Sequence, residues 1–419
     1  MKVAMLAPPW IEIPPHGYGG VEQVVALLTT ELTERGNEVT LFAAPGTHSR
    51  AEVLSPLEAT HPDEIQMAVY EADHVASAFA RMDETKPPFD VLHDHSGFTA
   101  FAFADRIDIP MVHTLHGPFT DDTSAFYARH GHKAKAVALS RYQAEQAPDE
   151  LDVVAVIGNP IVVADFPFRE DKDDYLLWIG RLNDDKGPQR AIAAAREADV
   201  RLVLAGPVQP GEEGFFEREV EPHVDGVRVR YIGEIGADKG DLYAGARALL
   251  MPIRWPEPFG LVMTEAMACG TPVIAFPEGS APELVLDGET GFVVDDEHAM
   301  AEAVGRLGDI DPARCRSSAE ERFDVTRVVH DPLVGALTHS LTQLKKRGSL
   351  LRPLGGERMA YLNCPTCRLT VYSPAMGVNS EDCPRCRAKL GKVSRLFRSS
   401  MPARLAKNKK ADRPAEAQP

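Results

Sequence analysis

The chain has 419 residues, of which 44% are hydrophobic and 26% are charged. This composition is typical of globular proteins and argues against a largely disordered chain. With 45 Lys and Arg against 62 Asp and Glu, the net charge is −17, so the whole chain is a poor candidate for nucleic-acid binding. The charge is uneven: residues 357–419 hold thirteen Lys and Arg and five Asp and Glu, hence +8, which leaves −25 for the first 356 residues.

The start of the chain does not resemble a secretory signal, because only five apolar residues separate Lys2 from Pro8. No apolar run reaches the ~18 residues that a membrane-spanning helix requires. We therefore expect a cytoplasmic protein, with peripheral attachment to a membrane as a further option. In that compartment the six cysteines should be reduced or bound to metal.

Short apolar segments alternate with helix-like segments along the first ~160 residues. A loop rich in Pro and Gly follows the first of them, and apolar residues then recur at helical spacing from Val21 to Leu32. Short buried strands separated by helices predict a parallel, doubly wound sheet. The strand candidates are Val3–Ala7, Glu38–Ala44, Val91–His95, Met111–Leu115, Ala136–Ser140 and Val153–Ile157.

The alternation restarts at Tyr175, after a charged segment, Pro160–Lys172, that has the character of a linker. Helical stretches such as Gln189–Ala198 and Leu261–Cys269 separate the new strand candidates. These strand candidates are Tyr175–Gly180, Arg201–Ala205, Val227–Ile232, Ala248–Pro252 and Pro272–Phe276.

We therefore expect an α/β chain with two tandem doubly wound, Rossmann-like domains, residues 1–165 and 166–325. Ligands of such folds bind in clefts and at the carboxyl ends of the strands, so a site between the two domains is expected. A helix over residues 326–347 should return to the first domain.

A glycine-rich segment, Pro14–Glu22, leads from the first strand into the first helix. Glycines let the backbone approach an anionic group, and the free N–H groups of a helix start attract phosphate. The segment is not a GxGxxG motif, so a glycine-rich turn without a ligand is an equally good interpretation.

Arg181 and Lys186 follow a strand of the second domain, on the side where the cleft is expected. Two cations five residues apart around a turn can converge on a diphosphate, the arginine forking onto two oxygens and the lysine acting as a point charge. Taken alone, a solvated loop whose charges pair with Asp184 and Asp185 is the better interpretation.

Two glutamates lie on a Pro-rich loop and on the helix that follows it. Glu257 is on the loop, and Glu265 is within an otherwise apolar helix, where a carboxylate is costly to bury unless it accepts hydrogen bonds. Sugar and ribose hydroxyls are suitable donors, and the N–H groups of Gly260 and Leu261 would face an anion. For a lone glutamate, a solvated helix face would be the simpler interpretation.

Together these motifs resemble the retaining nucleotide-sugar glycosyltransferases of family 4, which have the two-domain GT-B fold. The resemblance rests on E-x7-E with Pro-Phe-Gly and Glu-Ala-Met-Ala-Cys-Gly-Thr-Pro-Val-Ile, within residues 257–274. Matching segments occur in the same order at 17–20, 113–117, 180–187 and 290–294. The resemblance spans residues 1–345, and the N-terminal run is similar to a bacterial branch that includes avilamycin-type glycosyltransferases.

The resemblance implies a role for each matching residue. Arg181 and Lys186 should bind the donor diphosphate and stabilise it as it leaves, Glu257 should hold hydroxyls of the transferred sugar, and Glu265 those of the ribose. His116 matches the histidine beside the donor sugar near the reacting carbon, so the expected catalytic residues are His116, Arg181, Lys186 and Glu257. The further donor contacts implied are Gly19, Gly20, Phe259, Gly260 and Leu261.

The expected donor is a nucleoside diphosphate sugar, with UDP preferred, and the acceptor is open between a small molecule, a glycan and a lipid-linked molecule. No cofactor is expected for catalysis, since preorganised cations and helix N–H groups can stabilise the charge of the leaving diphosphate. Strand-end histidines make a metal cluster conceivable, but the resemblance argues against one. The alternatives are a nucleotide-sugar epimerase of the same fold and a zinc-ribbon binding adaptor on this scaffold.

Four cysteines near the end, two C-x-x-C pairs separated by fifteen residues, have the spacing of a structural zinc site. The ligands would be Cys364, Cys367, Cys383 and Cys386. Residues 357–391 are too few to bury a core unaided, so the zinc should supply the folding energy of this ribbon, with a strand near Leu369–Tyr372.

The last segment, residues 392–419, holds eight Lys and Arg against two Asp and Glu. A disordered solubilising tail is the simpler interpretation. The alternative is a basic element that meets an anionic membrane, a lipid-linked acceptor or nucleic acid.

Overall fold

In the computed structural model, the chain divides into two compact units, Met1–Lys345 and Lys346–Pro419. The structure describes residues 1–17, 19–60, 65, 67–236, 239–329, 333 and 335–337. It also describes the backbone of three strands in the second unit, at 360–363, 370–373 and 397–399.

The first sheet has seven parallel strands in the order β3-β2-β1-β4-β5-β6-β7. The order reverses between β1 and β4, which makes their carboxyl ends the topological switch point of this sheet. The strands are β1 (Lys2–Leu6), β2 (Glu38–Phe42), β3 (Glu52–Leu54), β4 (Val91–Asp94), β5 (Met111–Thr114), β6 (Lys135–Ala138) and β7 (Val153–Val156).

The second sheet has six parallel strands in the order β10-β9-β8-β11-β12-β13, so its switch point lies between β8 and β11. The strands are β8 (Leu176–Ile179), β9 (Leu202–Ala205), β10 (Val229–Tyr231), β11 (Leu249–Met251), β12 (Val273–Ala275) and β13 (Gly291–Val293).

Helices connect the strands of both sheets. Side chains of polar residues cap several of them, as Ser140, Asp296 and Asp311 do by accepting a hydrogen bond from a backbone N–H of the first turn. The helices are α1 (Gly20–Glu34), α2 (Ala68–Glu84), α3 (Phe98–Ala102), α4 (Asp121–His130), α5 (Arg141–Glu145), α6 (Pro188–Glu197), α7 (Glu213–Phe215), α8 (Lys239–Gly245), α9 (Leu261–Ala268), α10 (Ala281–Leu284), α11 (Glu297–Val304), α12 (Pro312–Arg322) and α13 (Val325–Val328).

The two doubly wound parallel sheets confirm the predicted fold class, and each predicted strand lies within two residues of an observed one. The sequence did not indicate β3 and β13, because each has only three residues and no clear alternation. At the start of β13, a Cβ on Gly291 would lie 1.8 Å from the carbonyl oxygen of Val273, so this close pairing requires a glycine.

The chain crosses between the two sheets at Ile161 and again at Asp324, and the two crossings pair with each other. The N–H of Val163 also donates to the Asp324 carboxylate, at 3.2 Å. Beyond this point Val325 and Val328 pack on the apolar core of the first sheet. Residues 338–347 of the predicted returning helix lie outside the described residues.

The second unit contains an antiparallel sheet in the order β15-β14-β16, with strands β14 (Ala360–Asn363), β15 (Thr370–Ser373) and β16 (Phe397–Ser399). The first cysteine pair lies between β14 and β15 in the sequence, and β16 belongs to the segment expected to be a disordered tail. The four predicted zinc ligands themselves lie outside the described residues. In the part of the chain that is described, no helix combines the length and apolar character needed to cross a membrane.

Candidate active site

The starts of α1 and α9, one from each domain, meet each other. A Cβ atom on Gly20 would lie 3.5 Å from Cδ1 of Leu261. Gly19 and Gly260 directly precede these helices with φ values of 152° and 87°, which side chains disfavour. The two helix N-termini therefore direct free N–H groups and positive dipole ends towards one region, where an anion would be stabilised.

A glutamate without a role in the sequence-based prediction lies in the first turn of α1. Glu22 is 6% exposed, and its Oε2 would lie 3.2 Å from a Cβ on Gly19. Burial raises the pKa of Glu22, although a hydrogen bond with its own backbone N–H acts in the opposite direction. A diphosphate approaching Gly19 and Gly20 would therefore meet this carboxyl group.

Lys186 lies on a loop that is fixed from several sides. Its carbonyl accepts a hydrogen bond from Trp178 Nε1 at 3.1 Å. Gly187, at φ 74°, approaches the carbonyl oxygen of Pro252 so closely that a Cβ would lie 2.4 Å from it. The Nε of Arg190, in the first turn of α6, donates to the same oxygen at 2.7 Å, which joins this helix to the loop after β11.

The side chains of Lys186 and Glu257 form an ion pair across these two loops. They are only 15% and 13% exposed, so water screens the pair less than it would on the surface. Trp255 Nε1 donates to Oε2 of Glu257 at 2.9 Å, and the Lys186 ammonium lies 5.0 Å from the centre of the Trp255 ring. Two residues predicted to contact the donor thus lie together at the switch point of the second sheet.

The predicted alternative, in which the loop charges pair locally, does not describe this site. Asp184 pairs with Arg190 rather than with Lys186. The guanidinium of Arg181 donates to the Oε1 of Gln209, at 3.3 Å, and so lies beside the loop that follows β9.

The backbone of Glu257 and Phe259 is supported by a turn further along the chain. The N–H of Ser280 donates to the Glu257 carbonyl at 3.0 Å, and its hydroxyl donates to the Phe259 carbonyl at 2.5 Å. The Phe259 side chain is buried against Gly158 of the first domain and against Phe323. The ring therefore packs at the domain junction, which leaves the backbone of Phe259 for the expected donor contact.

Glu265 is 5% exposed, and both of its oxygens have partners. Lys239 Nζ lies 2.5 Å from Oε1, and the Tyr243 hydroxyl donates to Oε2 at 2.9 Å. Burial, followed by the neighbouring carboxylate, raises the pKa of Tyr243 well above its usual value, so this hydroxyl keeps its proton. Since a carboxylate oxygen can accept more than one hydrogen bond, Glu265 can still accept from hydroxyls of a ligand.

The predicted histidine, His116, lies at the carboxyl edge of the first sheet among other histidines. Its Nε2 is 2.8 Å from Nδ1 of His95. In the same group, Asp94 contacts Nδ1 of His113 at 2.6 Å, and Thr114 contacts His93 at 2.9 Å. The described His, Cys, Asp and Glu residues include no group of three that is placed to hold a metal ion.

Sequence reasoning missed several residues that complete this site. Lys239 and Tyr243 are more than twenty positions from the glutamate they contact, and no local motif connects them to it. Glu22 could have been noticed as an acidic residue in the first turn of a helix. The missed residues are Glu22, Gln209, Lys239, Tyr243 and Ser280. His95 was considered only as one of the strand-end histidines of a conceivable metal cluster, and its contact with His116 was not expected.

Both domains match known families. Residues 18–164 match Glycosyltransferase Family 4, and residues 164–322 match Glycosyl transferases group 1. The chain is a glycosyltransferase. Its two Rossmann-like domains correspond to the GT-B architecture of similar enzymes, and the comparisons thereby favour the predicted enzyme class over the epimerase and the binding adaptor.

Relatives extend the similarity over most of this glycosyltransferase. D-inositol 3-phosphate glycosyltransferase of Xylanimonas cellulosilytica is 28% identical over 390 residues, 78% of this chain and 93% of the relative. The structure of a glycosyltransferase involved in avilamycin A biosynthesis is 26% identical, with a TM-score of 0.62, covering 82% of this chain and 98% of that one. HepE of Anabaena in complex with UDP-glucose has the same fold at 21% identity, with a TM-score of 0.60 over 83% of this chain and all of the other.

Proposed function

We propose that this enzyme transfers a sugar from a nucleoside diphosphate sugar to a hydroxyl acceptor with retention of configuration at the anomeric carbon. The observation that carries the proposal is the meeting of two helix N-termini at Gly20 and Leu261, beside the loops that hold Lys186 and Glu257. This arrangement suits a ligand that has a diphosphate at one end and sugar hydroxyls at the other.

Each group has a defined task in the proposed reaction. The glycosidic bond between the anomeric carbon and the phosphate oxygen breaks, and Arg181, Lys186 and the helix N–H groups stabilise the charge that develops on the leaving diphosphate. The acceptor oxygen attacks the same face, and its proton goes to the departing phosphate oxygen. Glu257 orients the sugar through the sugar hydroxyls. Because the acceptor attacks on the face from which the diphosphate departs, no protein nucleophile is needed.

UDP is the first nucleotide to test. HepE, which shares the fold, was solved with UDP-glucose, and the named relatives act on D-inositol 3-phosphate, which makes an inositol phosphate a reasonable first acceptor. The wider set of acceptors to test comprises small molecules, glycans and lipid-linked molecules.

A thermal-stability screen against UDP-, GDP- and ADP-sugars tests the donor. A ligand that binds only the folded chain at 100 times its Kd stabilises it by about 2.7 kcal/mol, which should raise the melting temperature by several degrees. If none of these sugars shifts the melting temperature, the donor class is wrong. With a donor identified, the anomeric coupling constant of the product distinguishes retention from inversion.

We also propose that Cys364, Cys367, Cys383 and Cys386 bind one structural zinc ion. The support is the spacing of the two C-x-x-C pairs, together with the paired strands β14 and β15 on either side of the first pair in the sequence. Metal analysis of the purified chain should find about one zinc per chain. Zinc that survives replacement of both Cys364 and Cys367 by serine would contradict this assignment.

A further inference from the structure

His95 and His116 form a hydrogen-bonded pair at the carboxyl edge of the first sheet. His95 comes directly after β4, and His116 lies two residues after β5, the neighbouring strand. Nδ1 of His95 is 2.8 Å from Nε2 of His116. His95 is 3% exposed, whereas His116 is half-buried. The remaining nitrogen of His116, Nδ1, has no hydrogen-bond partner among the described residues and is not fully shielded from solvent.

We propose that His95 is a positioning residue: its Nδ1–H donates to Nε2 of His116, which places the proton of His116 on Nδ1 and offers that N–H to the donor sugar. The proposal rests on the proposed function and on the role that the family resemblance implies for His116, beside the transferred sugar.

The direction of the hydrogen bond follows from the other nitrogen of His95. Between two neutral imidazoles, only one of the facing nitrogens can carry the proton. If His116 donated, the proton of His95 would lie on its Nε2, which is buried and has no partner among the described residues. A buried N–H without an acceptor is rarer in proteins than a buried acceptor without a donor. The arrangement in which His95 donates avoids this orphaned N–H.

Burial keeps both rings of the pair neutral. It lowers the pKa of His116 to about 3 and that of His95 well below its usual value, and the neighbouring His93 and His113 act in the same direction. Near pH 7, His116 can therefore donate a hydrogen bond through a neutral ring but carries no extra proton to transfer.

Two further contacts between the same strand ends hold His95 in place. The carboxylate of Asp94 accepts a hydrogen bond from Nδ1 of His113 at 2.6 Å, and Thr114 Oγ1 contacts Nε2 of His93 at 2.9 Å. Both contacts come from the two residues before His95, so they fix the end of the strand from which His95 contacts His116.

Two substitutions of His95 distinguish a role in setting the tautomer of His116 from a role in packing alone. In His95→Asn, the side-chain amide can donate from nearly the position of Nδ1, whereas in His95→Asp an ionised carboxylate can only accept. Nitrogen-15 NMR of the full-length, histidine-labelled chain shows which ring nitrogen of His116 is protonated, and His116→Gln identifies its signals. We expect a protonated Nδ1 in the wild type and in His95→Asn, and a protonated Nε2 in His95→Asp.

A wild-type His116 protonated on Nε2 would overturn the proposal, as would an unchanged tautomer in a folded His95→Asp variant. If His95→Asp does not fold, the tautomer of His116 in the wild type and in His95→Asn still tests the proposal, because both should be protonated on Nδ1. In turnover, His95→Asn should stay within about twofold of wild-type kcat, and His95→Asp should lose about tenfold, as expected for one hydrogen bond. The NMR measurement needs no substrate, so failure to turn over any nucleotide sugar would count against the proposed function and not against the tautomer.

Discussion

At the scale of single residues, the proposed donor site contains the ion pair between Lys186 and Glu257, two residues that are 71 positions apart in the sequence. Sequence motifs identified both residues, but the partner of each could not be read from local spacing. The acidic residues nearest to Lys186 in the sequence are Asp184 and Asp185. In the structure, Asp184 pairs with Arg190 instead.

Removing the Glu257 carboxylate should affect the sugar and the diphosphate differently. In Glu257→Ala, kcat should fall by ~100-fold or more, because the contact to the reacting sugar is lost. Affinity for UDP without a sugar should stay the same or increase, because Lys186 is freed to contact phosphate. Steady-state kinetics and calorimetry with UDP measure the two effects.

The control is Glu278→Ala, which removes another ion-paired glutamate of the same domain. The Glu278 side chain is 35% exposed and pairs with Arg254. This variant should leave kcat and UDP affinity close to those of the wild type. A Glu257→Ala variant with wild-type kcat would remove Glu257 from the catalytic set.

At the scale of elements, strands were predicted well because continuous apolar runs such as Leu176–Ile179 are buried on both faces. The same reasoning fails for the turn that supports the loop of Glu257 and Phe259. Gly279 and Ser280 contact the backbone of Glu257, yet a Gly-Ser pair in a loop has no pattern that would reveal this contact.

Gly279 offers a test of this supporting turn. It has φ 58°, and a Cβ there would lie 2.4 Å from the carbonyl oxygen of Glu257, so Gly279→Ala should displace the loop and lower kcat/KM for the donor by at least ~tenfold. Gly288→Ala is the control, because φ there is also positive, 75°, but a Cβ would meet nothing within 4 Å. The control should cost about 1–2 kcal/mol of stability and leave the kinetics unchanged. Equal kinetic losses in both variants would show that the contact with Glu257 is unimportant.

At the scale of the whole molecule, a carboxylate of the second domain is hydrogen-bonded to the backbone of the first domain. Glu283 accepts hydrogen bonds from the backbone N–H groups of Arg141 and Tyr142, at the start of α5, at 2.9 and 2.6 Å. Glu283 lies three residues after Ser280, so the contact between domains is close in sequence to the turn that supports Glu257. No sequence motif indicated this contact, because it joins residues 141 positions apart.

Loss of the Glu283 contact should disturb the arrangement of the two domains. In Glu283→Ala, kcat should fall and the KM for the donor should rise together, as expected when domain closure is impaired. The control, Glu289→Ala, removes a surface ion pair with Arg314 within the second domain and should have little effect. Identical steady-state kinetics for the two variants would exclude a role for Glu283 in closure.

The buried histidines of the first domain should make the folded chain sensitive to acid. Burial lowers the pKa of His74 to about 4 and that of His93 to about 3. Below the ordinary histidine pKa of 6.5, the unfolded chain takes up protons that the folded chain does not, so the free energy of unfolding falls as the pH falls towards 4. Above pH 6.5 this contribution to stability is fully present.

His74→Gln tests this dependence while keeping a donor for the carbonyl of Ala7, which now contacts His74 Nε2 at 3.0 Å. The variant should flatten the decline in stability between pH 6.5 and 4 by up to about 1.4 kcal/mol per pH unit, measured by urea unfolding at several pH values. A decline as steep as that of the wild type would mean that His74 titrates alike in both states.

The proposed binding of a nucleoside diphosphate by Arg181 and Lys186 is tested most directly by calorimetry. The ligand is whichever of UDP, GDP and ADP binds the wild type most tightly, titrated into the wild type and into Arg181→Ala/Lys186→Ala. We expect the double variant to remain folded, with a lower melting temperature because Glu257 loses its ion pair. It should lose at least ~100-fold in affinity, since each cation contributes a charge-assisted hydrogen bond. Equal affinities in the two proteins would contradict a diphosphate site at Arg181 and Lys186.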